Sequence, residues 1–310
     1  MNASTIIQKT NVSSTNDIYV KREDLLPFSF GGNKARKAQL FFEDVKKKQS
    51  DCVVTYGSNC SNHCRIVANY ASHLGLGCYV ISPISTEQDT FNSQMVKLFD
   101  AKVIYCTVDK VKETIDGTLE KLKKEGRNPY FIQGGGHGNI GTQAYVNCWN
   151  EIHEYSQKNN ICFDYVFLAS GTGTTQAGMI CGQILSGTDE KIIGISIARR
   201  KPYGRDVVIQ SIRDYLGKNF DAKKVESSTN FVDEYIGDGY GSKSIEVDDT
   251  IKRVLQTSGI PLDQTYTGKA FYGMEQYLKS NGIIGKKVLF IHTGGTPLFF
   301  EYLNGLTCDK

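Results

Sequence analysis

Short apolar runs rich in β-branched residues alternate along this chain with longer stretches of helical period. CVVTY (52–56), GCYVI (77–81), KVIYC (102–106), YFI (130–132), DYVFLA (164–169), KIIGISI (191–197) and KVLFI (287–291) have the length and content of buried strands. Before and between them, helical stretches fall at 34–48, 61–74, around 90–98, 111–125, 141–157 and 176–186. Strands that are apolar throughout, rather than at every second residue, are covered on both faces, as parallel sheets flanked by helices are. The alternation predicts an α/β protein. There are too many strand–helix units for one small sheet, so two domains with parallel-rich, twisted sheets are expected. The larger would take 1–44 plus 151–310 and the smaller 45–150.

Composition leaves that picture standing and removes others. At 310 residues, 40% hydrophobic and 22% charged, the chain is long enough for two buried cores. A net charge of +3 is too small to argue for nucleic acid or an anionic membrane surface, and neither is expected as a partner. The lysine-dense segments 46–48 and 110–124 share helical stretches with Asp and Glu and read as solvated faces. No apolar run reaches spanning length, and MNASTIIQKTNVSSTND at the amino terminus has no secretory core. Nine cysteines, an odd count without framework spacing, point to reduced thiols and a cytoplasmic location. Cys60, His63 and Cys64 lie on one short stretch with no second knuckle, so no metal site is expected.

In such folds ligands bind beyond the carboxyl ends of the strands. Four turns there are rich in glycine and hydroxyls: GSNCSNHCR (57–65), GGGHGNIG (134–141), GTGTTQAG (171–178) and HTGGTP (292–297). Together they point to an anionic cofactor. In the third, the amides of Gly171, Thr172, Gly173, Thr174 and Thr175 and the threonine hydroxyls stand where a helix start can hold a phosphate. No Gly-Lys-Ser/Thr follows, and the third glycine of a dinucleotide fingerprint is replaced by Gln176, so a single phosphate fits best. In GGNKARK (31–37), Lys34 follows a glycine turn at a helix mouth, and Lys37 lies one turn on, on the same side. A phosphate cradle with a recessed lysine is the minimum for pyridoxal 5′-phosphate: the lysine bonds the aldehyde and the loop holds the phosphate.

KREDLLPFSFGGNKARK, GSNCSNHCR, LASGTGTTQAG, DQTYTGKAFYGM and FIHTGGTP, in that order, resemble the D-cysteine desulfhydrase/1-aminocyclopropane-1-carboxylate deaminase family. These are fold-type II, tryptophan synthase β-like, pyridoxal-phosphate enzymes, and the resemblance runs from Ile18 to Phe300. It implies a lyase that performs β-elimination on D-cysteine or a related small β-substituted amino acid, releasing pyruvate, ammonia and sulfide. A β-replacement transferase and a 1-aminocyclopropane-1-carboxylate deaminase are the alternatives, and a homodimer is the implied assembly. By the same resemblance Lys34 would bond the cofactor, with Lys37 and the Gly171–Thr175 loop on its phosphate and Asn62 on its phenolic oxygen. Ser61 and His63 would face the substrate carboxylate or move protons, and Tyr240 and Tyr266 match the family's two active-site tyrosines. His292 is read as packing ahead of a turn. In the cyclopropane-opening branch a Glu follows the second tyrosine and a Leu follows the His of the last motif. Here those positions are Thr267 and Thr293, the pattern of the desulfhydrase branch, and both would meet the cofactor's ring nitrogen. Asn59-Cys60, His137 and the basic Arg199-Arg200-Lys201 depart from the family pattern, which bears on the substrate more than on the cofactor.

Overall fold

A computed structural model of the chain describes residues 4–12, 14–84, 90–217 and 220–308, so part of the amino-terminal stretch read above as lacking a secretory core lies outside them. The elements run β1 (Ile7–Lys9), β2 (Asp17–Lys21), α1 (Asn33–Lys47), β3 (Cys52–Tyr56), α2 (Asn62–His73), β4 (Gly77–Pro83), α3 (Phe91–Leu98), β5 (Lys102–Cys106), α4 (Val111–Lys124) and β6 (Pro129–Ile132). They continue with α5 (Asn139–Asn159), β7 (Tyr165–Ser170), α6 (Thr174–Ser186), β8 (Lys191–Ser196), α7 (Tyr203–Leu216), α8 (Ala222–Ser228) and β9 (Asn230–Val232). The last are α9 (Ile245–Ser258), α10 (Thr267–Ser280), β10 (Lys287–Ile291) and α11 (Thr296–Cys308).

Two compact units result, one of 1–33 with 142–310 and one of 34–141. The expected boundaries at 44/45 and 150/151 therefore shift, for reasons visible at both ends. Along α1, Phe42 stacks on Tyr70 at 5.1 Å and Asp44 accepts from Tyr130 Oη at 2.6 Å, which ties this helix to the smaller unit. Along α5, Tyr145 Oη donates to Glu23 Oε2 at 3.1 Å and Glu151 Oε2 accepts from Lys21 Nζ at 2.7 Å. That helix belongs with the larger unit from Thr142 onward.

The larger unit holds a six-stranded sheet in the order β1-β2-β10-β7-β8-β9, parallel except for the β1–β2 pair. Phe167, Ile193, Ile195, Val288 and Phe290 pack with Ile251, Val254, Ala270, Phe271 and Met274 of α9 and α10. The alternate residues Val166, Leu168, Ile192, Leu289 and Ile291 are also buried, so both faces of this sheet are covered, as the unbroken apolar runs predict. Gly178 and Gly182 of α6 let α5 approach closely: a Cβ at either would stand within 2.5 Å or 2.4 Å of Tyr145 and Trp149 respectively. The smaller unit has a parallel sheet in the order β5-β4-β3-β6, its core formed by Cys52, Val54, Ile81, Cys106 and Leu122. Among the described residues, no helix is long and apolar enough to cross a membrane.

Candidate active site

In the larger unit, β7 ends at Ser170 and the chain turns through Gly171–Gly173 into α6. Gly173, at φ +89°, is the N-cap and supplies no capping side chain to the first turn of α6. Only glycine takes that backbone freely, and a Cβ would stand 3.0 Å from Val208 Cγ2. Arg199 Nη1 donates to the Thr172 carbonyl at 3.2 Å, giving that basic residue a task as a brace of the loop. Gln176, in the place of a fingerprint glycine, is buried; its Oε1 accepts from Ser170 Oγ at 2.9 Å and its Nε2 donates to Asn230 O at 2.7 Å. It knits β7, α6 and β9 beneath the turn.

Thr175 Oγ1 accepts from Asn33 Nδ2 at 3.0 Å, and Asn33 N donates to Thr293 O at 2.9 Å. Thr293 is buried beside Gly32 and Gly294, whose backbones approach so closely that a Cβ on Gly294 would stand 2.6 Å from Gly32 Cα. Two glycine turns thus fix Asn33, the residue ahead of Lys34. The hydroxyls of Tyr240 and Tyr266 lie 2.5 Å apart, with their rings edge to face at 6.0 Å. The loop bearing Tyr240 is held by buried Lys269, whose Nζ donates to Ile236 O at 2.8 Å, Gly239 O at 3.0 Å and Ser242 Oγ at 3.1 Å.

Thr267 is fully buried at the start of α10, and its hydroxyl hydrogen goes to Asp263 Oδ2 at 2.7 Å. Asp263 also accepts the amides of Thr265, Tyr266 and Thr267 at 2.9, 2.7 and 3.0 Å, so this carboxylate caps α10 with both oxygens used. The hydroxyl expected to meet a ring nitrogen therefore has its only hydrogen spent inside the protein. His292 Nε2 lies 2.6 Å from Pro261 O and Gly294 N donates to Nδ1 at 3.3 Å, an arrangement that fixes a ring packed ahead of the turn.

In the smaller unit, Lys34 and Lys37 converge on one acceptor, the carbonyl of Gly135, at 3.0 and 3.4 Å. Burial of its amine lowers Lys34 to about 8. Lys37 is pushed well below the ordinary lysine range by burial and by the neighbouring Lys34 charge. Thr55 Oγ1 gives its one hydrogen to Ile132 O at 2.8 Å, so in its 2.8 Å contact with His63 the imidazole Nε2–H is the donor. Burial and the charges of Lys34 and Lys37 hold His63 well below its usual range. It is a neutral ring with Nδ1 as a hydrogen-bond acceptor, and the same burial and charges oppose its protonation.

Ser61 N-caps α2, its Oγ accepting from Cys64 N at 3.2 Å. Asn62 Oδ1 accepts from Asn92 Nδ2 at 3.1 Å and Arg65 Nη2 at 3.3 Å, while Arg65 Nε donates to Asn92 Oδ1 at 2.8 Å. Buried Arg65 and Asn92 turn the half-buried Asn62 amide so that its NH₂ is the group presented. Thr55 and Asn92 stand outside the quoted motifs, and Arg65, Gly135 and Lys269 stand inside them without an assigned role; the part each plays is found only through its partners. Among the described residues, no group of three or more His, Cys, Asp or Glu side chains could hold a metal ion.

The model of the pyridoxal-phosphate dependent enzyme family matches residues 4–294, and the chain belongs to that family. It is 32% identical to D-cysteine desulfhydrase of Serratia proteamaculans over 300 residues, covering 92% of this chain and 88% of that protein. It is 35% identical to a putative 1-aminocyclopropane-1-carboxylate deaminase of Pyrococcus horikoshii over 298 residues, covering 92% and 86%. Among solved structures, an ACC deaminase homologue superposes with TM-score 0.85 at 31% identity, covering 99% of this chain and 94% of that one. Threonine deaminase isoform 2 of Solanum lycopersicum, at TM-score 0.64 and 20% identity over 98% and 82%, shares the fold. The fold is thus that of fold-type II enzymes and the cofactor pyridoxal 5′-phosphate. The residues present fit this cofactor on their own chemistry: a glycine-capped helix start suits a phosphate, and an amine lowered to about 8 suits an aldehyde.

Proposed function

We propose that this protein catalyses β-elimination on D-cysteine or a related small β-substituted amino acid, releasing pyruvate, ammonia and sulfide. Pyridoxal phosphate supplies, when bound, an aldehyde that condenses with an amino group and a conjugated ring that accepts the electron pair of a departing α-proton. Lys34 would be the amine that bonds this aldehyde and, once released, the base for the α-proton; at about 8 it is partly uncharged near neutral pH. Lys37 and the Gly171–Thr175 loop hold the phosphate, and Asn62 donates its NH₂ to the phenolic oxygen. Ser61 donates its hydroxyl hydrogen to the substrate carboxylate, fixing which bond at the α-carbon breaks. Neutral His63 accepts a hydrogen bond at Nδ1 from the substrate. Tyr240 and Tyr266 share one hydrogen between two oxygens, an arrangement suited to handing a proton to a leaving thiolate. Thr293 lines the cofactor beside the glycine turns.

The observation that carries this reading against cyclopropane opening is the state of Thr267. No acid stands at that position, and the hydroxyl there is committed to Asp263, whose own oxygens are taken by four donors. Without an acid at that position to protonate the ring, a substrate with a good leaving group at the β-carbon is favoured. Support also comes from the name of the Serratia proteamaculans relative. A panel of D- and L-cysteine, β-chloro-alanine and 1-aminocyclopropane-1-carboxylate, assayed for pyruvate, ammonia and sulfide, tests it. Pyruvate and sulfide from D-cysteine are expected, with little 2-oxobutyrate from the cyclopropane. Turnover of the cyclopropane alone sinks the proposal, and product formation only with an added thiol favours β-replacement. The proposal extends to a cytoplasmic homodimer, supported by the free state of the described cysteines and by the family resemblance, and checked by light scattering of the purified protein.

A further inference from the structure

Lys269 is a buried lysine in the first turn of α10, three residues after Tyr266, the N-cap of that helix. An ammonium carries three hydrogens, and three oxygens of one short loop lie within reach of this one. They are Ile236 O at 2.8 Å, Gly239 O at 3.0 Å and Ser242 Oγ at 3.1 Å. All three acceptors are uncharged, so the lysine serves the shape of the loop rather than the neutralisation of an acid. Hydrogen bonds from a charged donor are the strong kind.

The loop closes on itself around that ammonium. Ser242 Oγ lies 2.9 Å from Gly239 O and 3.2 Å from Ile236 O. Ile236 is buried, whereas Gly237, Asp238, Tyr240 and Gly241 are exposed, so packing contributes little to the loop's shape. Gly239 and Gly241, on either side of Tyr240, stand at φ +136° and +75°, and a Cβ on either would meet nothing within 4 Å. These glycines are present for backbone conformation and not for close approach. Tyr240 projects from the middle of this loop, its hydroxyl 2.5 Å from that of Tyr266. The start of α10 thus bears one tyrosine of the pair and grips the loop that bears the other.

We propose that Lys269 is a positioning residue for the elimination: its ammonium folds the 236–242 loop and so sets the Tyr240 hydroxyl on that of Tyr266. It acts through the tyrosine pair, so this role rests on the reading of that pair as proton donor to the leaving group. In that step the Cβ–S bond breaks and its electron pair leaves with sulfur as hydrosulfide. The hydrogen supplied by the pair makes hydrogen sulfide, and water returns a proton to the pair. Chloride, a far weaker base, leaves a β-carbon without needing one.

The test uses holoenzyme carrying 3-fluorotyrosine, the fluorine signals of Tyr240 and Tyr266 being assigned by their loss in Tyr240→Phe and Tyr266→Phe. In Lys269→Met, an uncharged side chain of similar reach, both signals should shift. With D-cysteine kcat should fall about tenfold or more, as loss of an aligned proton donor does, whereas β-chloro-D-alanine should lose less than about threefold. Ser242→Ala removes one of the three acceptors and should move the same two signals to a smaller extent; it decides the matter if Lys269→Met fails to fold. Signals of Tyr240 and Tyr266 that stay in place overturn the proposal. So does an equal loss of activity on the two substrates, the mark of a merely structural residue. If the unmodified enzyme turns over neither substrate, the elimination reading falls and the role in it with it, while a shift of the two signals still supports the placement of Tyr240 by Lys269.

Discussion

At the scale of single residues, the chemistry turns on an amine without a counter-charge. Lys34 Nζ rests on a carbonyl, and burial lowers it to about 8, whereas a solvated lysine stays protonated to about 10.4. A lowered base is neutral above its own value, so the nucleophilic form gains population as pH rises through about 8. The rate at which apoenzyme takes up pyridoxal phosphate is expected to climb through that value and level off above it. Borohydride reduction should then leave the phosphopyridoxyl group on Lys34. A midpoint in the range of a solvated lysine, or label on Lys37 or Lys269, would refute the assignment. Lys34 and Lys37 were legible because a glycine turn and a helical spacing announce them within a few residues. Arg65 and Asn92, 27 apart in sequence, were not, because only the fold brings them together to hold Asn62. Thr267 was legible as a threonine in the right place but not as a helix-capping partner of Asp263. That role needs the geometry of the turn ahead of α10.

At the scale of elements, most strands were legible, the edges β5 and β6 of the smaller sheet included, while interior β2 and the edges β1 and β9 of the larger sheet were not. β3, β4, β7, β8 and β10 are unbroken apolar runs, whereas β1 and β9 have three residues each and carry no pattern. α9 is bracketed by Ser244, whose hydroxyl accepts from Val247 N, and by Gly259 in the left-handed region, so its limits are written in cap residues rather than in periodicity. The closeness of α5 and α6 rests on two glycines one turn apart, and it can be tested against a glycine that has room. Gly182→Ala forces a Cβ against Trp149 and should cost about 1–3 kcal/mol, as overpacking does. Gly117→Ala, within α4 and with nothing within 4 Å of the new Cβ, should gain about 0.5–1 kcal/mol. Urea titrations of the two variants check both signs. Equal effects would mean that the glycines of α6 are not there for packing.

At the scale of the whole molecule, the larger sheet is assembled from distant stretches of sequence. β10 lies between β2 and β7, so the strand at 287–291 separates, in space, neighbours that the ribosome made long before it. The smaller unit is one continuous segment, 34–141, complete while β7 to β10 are still to come. Vectorial synthesis therefore gives the two sheets unequal waiting times: β2 must remain without its parallel neighbour until nearly the entire chain has emerged. The cost of closing so long a loop falls on the larger sheet alone. Pulse-labelled hydrogen exchange during refolding should show amides of β3, β4 and β6 protected before those of β2 and β10. Simultaneous protection would mean that the inserted segment does not fold ahead of its host. A nascent chain stalled before residue 287 should expose the flank of β2 as an unpaired edge, open to chaperones and to other copies of itself.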